Sequence, residues 1–308
     1  MKSDDKKRYV WADLPPSGLG NRLFAWSRAI VYSRLHRIPM VKTRWWQLRI
    51  GPLLRRESDY RWYFSQLNQS PDDIWGVRKL CIFVRNNYIE EPVDLETLPD
   101  EKGIIRFTGW GEYFSPLVAH QDYIRSKLMM SVNPRCLGAI QCYKETLPPI
   151  GIHVRRGDFR VICSEQQLKS EGAVQTPIDW YIKVLKGIRM KVGHNVPAFV
   201  VSDGTDVELQ QLLEVRGVQW ISSGTALGDL LLLSRSKVLI GSGGSTFSGW
   251  GAFLGNLPIV TCEGQSLSWY GLESEATGGM LSTVGLDASS SVDQEQIALL
   301  ANFLKKTI

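Results

Sequence analysis

Two adjacent arginines follow a short apolar segment in the run Ile150-Gly151-Ile152-His153-Val154-Arg155-Arg156-Gly157-Asp158. The apolar residues have the length and composition of a buried strand. Arginines at the end of such a strand are costly to bury unless an anion compensates them, and guanidinium groups match phosphate bidentately. Because Gly157 also allows close backbone approach, Arg155 and Arg156 are predicted to hold a diphosphate. The alternative is an ion pair between an arginine and Asp158.

A second candidate site residue, Asp203, follows the apolar run 199–201. A carboxylate at the end of a strand can accept two N–H bonds from the Watson–Crick edge of guanine. The alternative is an N-cap for a helix that begins near residue 205, a role that Gly204 or Thr205 can also fill.

The stretch 240–250 reads as a strand, a glycine-rich loop and a helix. Backbone N–H groups and the hydroxyls of Ser245 and Thr246 at such a helix N-terminus are suited to phosphate. The loop is not a Walker A motif, because no Gly-Lys-Ser/Thr follows it. The alternative is a structural N-cap.

The N-terminal half contains two further loops of interest. Gly18 and Gly20 lie between a predicted strand and a helix, where the backbone can approach a ligand closely. Leu23 stands where a dinucleotide fingerprint needs its third glycine. In the loop of residues 108–114, Trp110 and Tyr113 are suited to stacking on a sugar, and burial at a domain seam is the alternative.

These residues are positioned by an alternation of strands and helices in the second half. Strands are predicted at 150–154, 197–202, 217–221, 237–241 and 257–261, and helices at 177–191, 205–215, 226–235 and 246–254. The alternation predicts a doubly wound parallel sheet with the loops after 154, 202 and 241 at one rim. In the first half, strands are predicted at 8–12, 38–41, 80–84 and from 104, and helices at 23–35 and 121–130.

The alternation gives an α/β fold class, and the composition is that of an ordinary globular protein. The length of 308 residues suits two domains, which are predicted at 1–140 and 141–308, with a last helix at 292–306 that packs back on the N-terminal domain. The net charge of +5 is too small to indicate nucleic acid. No apolar run reaches transmembrane length, and the charged N-terminus is unlike a signal peptide. Five scattered cysteines without a CxxC pair suggest neither disulfides nor zinc, which predicts a cytoplasmic protein.

The motif His-Val-Arg-Arg-Gly-Asp at 153–158 resembles the arginine motif of the fucosyltransferase superfamily, which makes α1,2 and α1,6 linkages and includes protein O-fucosyltransferases. Four other stretches resemble the family in the same order, at 18–22, 109–114, 228–236 and 243–250. The chain departs from the pattern at Arg22, where glutamine is usual, at Gly243-Gly244 in place of Asn-Ser, and at Gly249 in place of tryptophan.

The resemblance implies a GT-B fold, with two Rossmann-like domains facing a cleft. It implies inverting transfer of fucose from GDP-fucose to a glycan hydroxyl, with a galactoside α1,2 linkage as the expectation. The alternatives are another GDP-deoxysugar donor and a catalytically silent glycan-binding module. No Asp-x-Asp occurs in the sequence, so no metal or other cofactor is expected.

By the same resemblance, the predicted donor contacts are Gly20, Asn21, Arg22, His153, Arg155, Arg156, Asp203, Ser245, Thr246 and Phe247. The predicted acceptor contacts are Trp110, Glu112 and Tyr113. The catalytic candidates are Asn21, Arg155 and Asp158, and the general base stays open between Asp158 and Glu112.

Residues 42–64 are rich in cations and aromatics, with a net charge of +4. Arginine and tryptophan together suit the interface between water and anionic lipid. The stretch therefore predicts a peripheral contact with an anionic membrane, where a lipid-linked acceptor would lie. The alternative is that its tryptophans are core and its arginines a solvated face or a second diphosphate site.

Overall fold

The computed structural model describes residues 7–45, 63–68, 70–161, 174–262 and 291–308. The chain forms two compact units, one made of Met1–Ile50 with Arg61–Pro134 and the other of Gly51–Tyr60 with Arg135–Ile308. Each unit contains a parallel β-sheet, so the predicted α/β class is confirmed. No helix in the described ranges is long and apolar enough to cross a membrane.

The first unit has a four-stranded parallel sheet in the order β2-β1-β4-β3. Its strands are β1 (Tyr9–Ala12), β2 (Met40–Val41), β3 (Tyr88–Glu90) and β4 (Ile104–Phe107). Its helices are α1 (Leu19–His36), α2 (Gly76–Arg85) and α3 (Gln121–Ser131), with 3-10 turns at Tyr63–Ser65 and Ser115–His120. The long helix α1 packs on β1 and β4, and nearly all of its first four turns are buried.

Helix α2 corrects the sequence analysis, which predicted a strand at 80–84. The five consecutive apolar residues lie on a helix, and only Ile82 among them is buried. A short apolar run fits a strand or a helix equally well, and here the helical spacing directs Leu80 and Val84 to solvent instead of a sheet. The strand that pairs at this edge is β3, directly after the helix.

The second unit has a five-stranded parallel sheet in the order β7-β6-β5-β8-β9. Its strands are β5 (Ile150–Val154), β6 (Ala198–Ser202), β7 (Val218–Trp220), β8 (Val238–Ile240) and β9 (Ile259–Val260). Its helices are α4 (Pro134–Gln141, which starts at the unit boundary), α5 (Ile178–Val192), α6 (Asp206–Leu213), α7 (Ala226–Leu233), α8 (Thr246–Gly255) and α9 (Ser291–Thr307). The predicted strands and helices of this half are confirmed within a few residues at each end.

The strand order contains a topological switch point. The chain runs outward from β5 through β6 to β7, then returns to add β8 on the other side of β5. In open α/β sheets, ligands bind outside the carboxyl ends of the strands at such a point. The loops after β5 and β8 flank it.

Helix α9 belongs to the core of the second unit. Ile297, Leu300 and Leu304 are buried in a cluster with residues of α5, including Trp180 and Ile188. The sequence predicts that this helix packs on the N-terminal domain, whereas the contacts described for it are with α5 and β8 of the second unit.

Candidate functional site

The carboxyl ends of β5, β6 and β8 are joined by hydrogen bonds, as the predicted rim requires. Strand β5 pairs with β6 on one side and β8 on the other. Directly after β5, the Arg155 backbone N–H donates to Ser242 Oγ at 2.7 Å, beyond β8. The Arg156 backbone N–H donates to Asp203 Oδ1 at 2.7 Å, beyond β6. The three loops therefore form one connected site.

Arg155 is the partly exposed arginine of this site. Its Nη1 pairs with Asp203 and its Nη2 with Asp158, and its side chain is 23% exposed. The guanidinium also lies 5.6 Å from the centre of the Phe159 ring. The ion pair with Asp158, which the sequence left as an alternative to phosphate binding, is present. Two carboxylates fix the orientation of the guanidinium, whose five N–H donors are not all used by two such contacts.

Arg156 is oriented differently and is buried. Its Nη1 donates to Gln175 Oε1 and to the carbonyl oxygen of Thr176, both at 3.1 Å. Its buried Nε has no hydrogen-bond partner among the described residues. The two arginines of the motif thus differ: Arg156 braces the chain at 175–176, while Arg155 reaches the surface.

Asp203 organises the loop that carries the arginines. Its two oxygens accept from the Arg156 backbone and the Arg155 side chain. A Cβ atom on Gly157 would lie 2.3 Å from Asp203 Oδ2, so only glycine fits there without a shift. Thr205, not Asp203, caps α6, because its hydroxyl and Glu208 form a capping box. The N-cap alternative for Asp203 is therefore wrong.

His153 is a buried, neutral side chain at the end of β5. Its Nδ1 lies 2.7 Å from Ser248 Oγ, and its ring stacks on Phe247 with centroids 4.9 Å apart. Burial, with a smaller effect from the Arg155 charge, lowers the pKa of His153 to about 3. The imidazole is therefore uncharged at neutral pH and can exchange hydrogen bonds without adding charge.

Ser242 and Tyr181 connect these loops and were not predicted from the sequence. Ser242 Oγ accepts from the Arg155 backbone N–H and donates to the His153 carbonyl oxygen at 3.0 Å. The Tyr181 hydroxyl, 2.7 Å away, must then be the donor in its bond with Ser242. Burial raises the pKa of Tyr181 to about 12, so this donor keeps its proton. Ser242 lies in the predicted glycine-rich loop, but Tyr181 lies on α5 with no motif around it.

The N-terminus of α8 has the features of an anion site. Ser245 occupies the N-cap position, but its side chain makes no capping hydrogen bond. The first N–H groups of a helix have no intrahelical acceptor, and the helix dipole is positive there. Thr246 and Phe247 form this first turn, and Phe247 contacts His153. The predicted residues Ser245, Thr246 and Phe247 thus join the cluster around β5.

The predicted donor residues of the first unit lie in the first turn of α1. Gly20 is buried and Asn21 is partly exposed. Arg22 is completely buried, with its guanidinium 4.9 Å from the centre of the Tyr63 ring. Its Nε donates to the Ser17 carbonyl at 3.0 Å and its Nη1 to the Trp45 carbonyl at 2.6 Å. In this arrangement Arg22 holds the backbone before α1, and a donor contact for it stays a prediction.

The predicted acceptor residues lie in one strained loop after β4. Trp110 is 49% exposed and stacks on Tyr113, with centroids 6.2 Å apart. Glu112 is exposed. The loop has positive φ angles at Gly109, Gly111 and Tyr113, which is unusual for a tyrosine. The alternative of a buried aromatic is wrong for Trp110.

Arg28 of α1 packs against the backbone of the loop after β4, a contact that was not predicted from the sequence. Its Nη2 donates to the Thr108 carbonyl at 2.7 Å and to both oxygens of Glu91 at 3.1 Å. Burial lowers the pKa of Arg28 and raises the pKa of Glu91. The charge of each residue partly offsets the effect of burial on the pKa of the other. A Cβ atom on Gly111 would lie 2.7 Å from Arg28 Cζ, so the loop backbone packs directly on the guanidinium.

Two predictions, the absence of a metal and the membrane contact, are not tested by the described residues. The described part of the chain holds no group of three or more His, Cys, Asp or Glu that could bind a metal ion. Most of the segment predicted to contact a membrane, residues 46–62, lies outside the described residues.

Residues 111–263 match the family model described as glycosyl transferase family 11, so the resemblance to the fucosyltransferase superfamily is confirmed. No curated protein matches the chain.

Solved structures share the fold at low sequence identity. Bradyrhizobium NodZ, an α-1,6-fucosyltransferase co-crystallised with GDP, is 17% identical with a TM-score of 0.53, over 84% of this chain and 96% of NodZ. A mutant of Arabidopsis thaliana FUT1 in complex with GDP is 16% identical with a TM-score of 0.51, over 85% of this chain and 72% of that one.

Proposed function

We propose that the protein transfers fucose from GDP-fucose to a hydroxyl group of a glycan acceptor. The observation that carries the proposal is Arg155, which two carboxylates orient beside the switch point between β5 and β8. Ser242 and His153 connect this arginine to the N-terminus of α8, which lacks a side-chain cap. A diphosphate fits between one oriented guanidinium and such a helix N-terminus. The GDP bound by the structural relatives NodZ and FUT1 supports a GDP-sugar as the donor.

The charges around the site favour a diphosphate that is bound by Arg155 together with the N-terminus of α8. Arg155 and Arg156 are balanced formally by Asp158 and Asp203, so the arginine motif alone has no excess of positive charge. The dipole of α8, equivalent to roughly half an elementary charge, would supply the excess. We therefore assign the diphosphate to Arg155 together with Ser245, Thr246 and Phe247 of α8, and a bracing role to Arg156.

The guanine base is assigned to the neighbourhood of Asp203 and His153. Asp203 lies at the end of β6 and is partly exposed, so its carboxylate can accept from the Watson–Crick edge while it holds the arginine loop. His153 is neutral and buried beside it on β5, and its stacking on Phe247 fixes the ring plane.

The reaction is a single displacement that inverts the anomeric carbon. The acceptor oxygen forms the new bond to that carbon, the bond to the phosphate oxygen breaks, and GDP leaves with the electron pair. Arg155 and the N-terminus of α8 stabilise the charge that develops on the leaving diphosphate. Asp158 or Glu112 takes the proton of the acceptor hydroxyl, and Asn21 is the remaining catalytic candidate. No divalent metal is needed in this scheme.

The two halves have different roles in the proposal, in a GT-B arrangement. Residues 141–308 bind the donor, with Gly20, Asn21 and Arg22 contributed by the first half. Residues 1–140 bind the acceptor, and the stacked Trp110 and Tyr113 provide an aromatic surface for a pyranose ring. The proposed acceptor is a galactoside that receives fucose at its 2-hydroxyl. It would be carried on a lipid at an anionic membrane that residues 42–64 contact.

Product analysis tests the function. The protein is incubated with a panel of GDP-sugars and β-galactosides, and products are identified by mass spectrometry and linkage analysis. GDP and UDP are compared in parallel by thermal shift, where a ligand at one hundred times its Kd adds about 2.7 kcal/mol of stability. We expect a fucosylated galactoside and a shift with GDP alone. No shift with GDP and no product from any donor would indicate a silent glycan-binding module, and an equal shift with UDP would contradict the donor class.

A further inference from the structure

Helix α2 presents an apolar face to solvent. Val77, Leu80 and Val84 are 75%, 65% and 85% exposed, and Cys81 between them is also exposed. Their spacing of i, i+3, i+4 and i+7 places the four side chains on one face of the helix. Trp75, at the N-cap position, and Tyr88, just after the helix, are also exposed.

The opposite face of α2 is the one that packs on the protein. Ile82 is buried in a cluster with Val41, Ile74 and Ile104, and Phe83 contacts Trp11 edge to face at 4.9 Å. A surface helix normally turns polar residues outward, whereas α2 is apolar on both faces. Single exposed apolar residues are common, but a contiguous patch of this kind marks an interaction surface.

The charges on α2 indicate what the surface contacts. The helix carries Arg78, Lys79 and Arg85 and has no acidic residue. Arg78 and Arg85 are exposed and lie together at one border of the apolar face, about 100° from its centre at 100° per residue. Burial lowers the pKa of Lys79, and the nearby charges of Lys42 and Arg44 lower it further. The positive charge around the apolar face therefore has no negative complement on the helix itself.

We propose that α2 docks the protein on an anionic membrane surface, with Val77, Leu80 and Val84 among the lipid chains and Arg78 and Arg85 at the phosphates. A helix whose exposed apolar face is bordered by cations can lie in the plane of such an interface, with its other face packed on the protein. Trp75 and Tyr88 are residue types that sit at the headgroup level. The inference goes beyond the transfer reaction and does not depend on it.

A second copy of the chain is a poorer occupant of the same face. A two-fold contact brings identical patches together, so Arg78 and Arg85 of both copies would be gathered at the same interface. No acid on α2 would balance them. An anionic lipid surface instead complements these cations along the whole length of the helix, about 15 Å for ten residues.

Vesicle sedimentation tests the docking. The full chain is mixed at low salt with vesicles of phosphatidylglycerol or of phosphatidylcholine. We expect sedimentation with the anionic vesicles only, and partial release by salt. Leu80→Gln with Val84→Gln, and separately Arg78→Gln with Arg85→Gln, should each weaken the partition coefficient roughly tenfold or more. Val207→Gln with Met190→Gln, which alters equally exposed apolar residues on α6 and α5, should leave it unchanged.

A cysteine probe locates the contact independently. Cys81 and Cys142 are both exposed free thiols, one on the α2 face and one in the second unit. An environment-sensitive dye at Cys81, with Cys142 and Cys163 replaced by serine, should shift to the blue on anionic vesicles. The same dye at Cys142, with Cys81 and Cys163 replaced by serine, should not shift.

Three results would overturn the docking of α2 on lipid. The first is that the wild type does not sediment, the second is that it sediments equally with neutral vesicles, and the third is that both α2 variants bind as the wild type does. If Arg49→Gln with Arg55→Gln and Arg56→Gln abolishes binding while the α2 variants keep it, residues 42–64 alone make the membrane contact and α2 does not take part. Loss of a concentration-dependent dimer in the Leu80/Val84 variant, without vesicle binding by the wild type, would assign the face to a second copy.

Discussion

At the scale of single residues, the two arginines after β5 are adjacent in sequence yet have different surroundings. Arg155 is held by two carboxylates and is partly exposed, whereas Arg156 is buried against Gln175 and the Thr176 carbonyl. From the sequence alone, both arginines are predicted to hold the diphosphate, because a motif does not show which side chain points to solvent. The structure separates a group that can reach a ligand from one that stabilises the loop.

This difference predicts opposite effects of two conservative substitutions. Arg155→Lys should lower kcat about 10²- to 10³-fold, because a point charge does not reproduce the guanidinium fork, with little change in melting temperature. Arg156→Lys should instead lower stability by about 1–3 kcal/mol, because buried acceptors lose their donor. Steady-state kinetics and thermal melts on both variants measure the two effects. Turnover like that of the wild type in Arg155→Ala would contradict the assignment of the diphosphate.

Asp203 has two possible jobs that a ratio of affinities can separate. Its carboxylate holds Arg155 and the Arg156 backbone, and we propose that it also reads guanine. If Asp203 only orients Arg155, Asp203→Asn should weaken GDP and ADP equally. If it reads the base, the preference for GDP over ADP should fall as well, which is the result that we expect. Calorimetric Kd values for both nucleotides decide, and Thr205→Ala, which removes the α6 cap alone, is the control.

The sequence predicted the charged residues of the site but not the hydroxyl groups that connect them. Arg155, Asp158 and Asp203 follow predicted strands, and strand ends of a parallel sheet meet at one edge. Tyr181 lies on the buried face of α5, and nothing in the neighbouring sequence distinguishes it from a core tyrosine. Its bond to Ser242 depends on the crossing of α5 over the sheet, which is a property of tertiary packing.

At the scale of elements, the loop after β4 is supported by α1. Phe24 and Arg28, one helical turn apart, contact the Tyr113 ring and the backbone at Thr108 and Gly111, respectively. The spacing of these two residues is visible in the sequence, but an arginine in an otherwise apolar helix face reads as a solvated residue. Only the structure shows that Glu91 reaches it.

Two alanine substitutions in this loop isolate the contact with Arg28. Gly109 and Gly111 both have positive φ angles, but a Cβ meets nothing within 4 Å at Gly109 and meets Arg28 Cζ at 2.7 Å at Gly111. Gly109→Ala should cost about 1–2 kcal/mol for the left-handed backbone alone. Gly111→Ala should cost more, and it should raise the KM for acceptor without changing GDP affinity. Equal effects of the two substitutions would show that the loop does not rest on Arg28.

The segment before α2 predicts a pH dependence of stability. Burial raises the pKa of Asp73 from 3.8 to about 6, with opposing effects of Lys127 and Lys42. Because the folded pKa lies above the unfolded one, this group favours the folded state at low pH. Its contribution is lost as pH rises from 3.8 to about 6. Above that range, the folded protein keeps a partly buried charge.

Asp73→Asn should therefore be more stable relative to the wild type at pH 7 than at pH 4.5. Urea unfolding of both proteins at the two pH values gives the free energies. The same difference between Asp73→Asn and the wild type at both pH values would contradict the raised pKa.

At the scale of the whole molecule, the second unit was far more predictable than the first. Its strands β5, β6 and β8 are fully or almost fully buried apolar runs separated by helices of ordinary length, so period and order fix the sheet. In the first unit, β3 has only three residues, with exposed positions at both ends. Such a strand has no strong local signal, which is why the apolar run of α2 was mistaken for the strand at this edge.

The charge arrangement of the molecule leads to a prediction about metal dependence. The sequence has no Asp-x-Asp, and the carboxylates nearest to the proposed diphosphate, Asp158 and Asp203, are both engaged by Arg155. In the proposed scheme, Arg155 and the N-terminus of α8 together neutralise the leaving GDP. Activity should therefore survive an excess of EDTA with little change in kcat. Arg155→Ala should lose activity equally with and without EDTA, and added Mn²⁺ should not restore it. If EDTA abolishes turnover of the wild type and Mn²⁺ or Mg²⁺ restores it, the diphosphate is neutralised by a cation and not by the arginine and the helix.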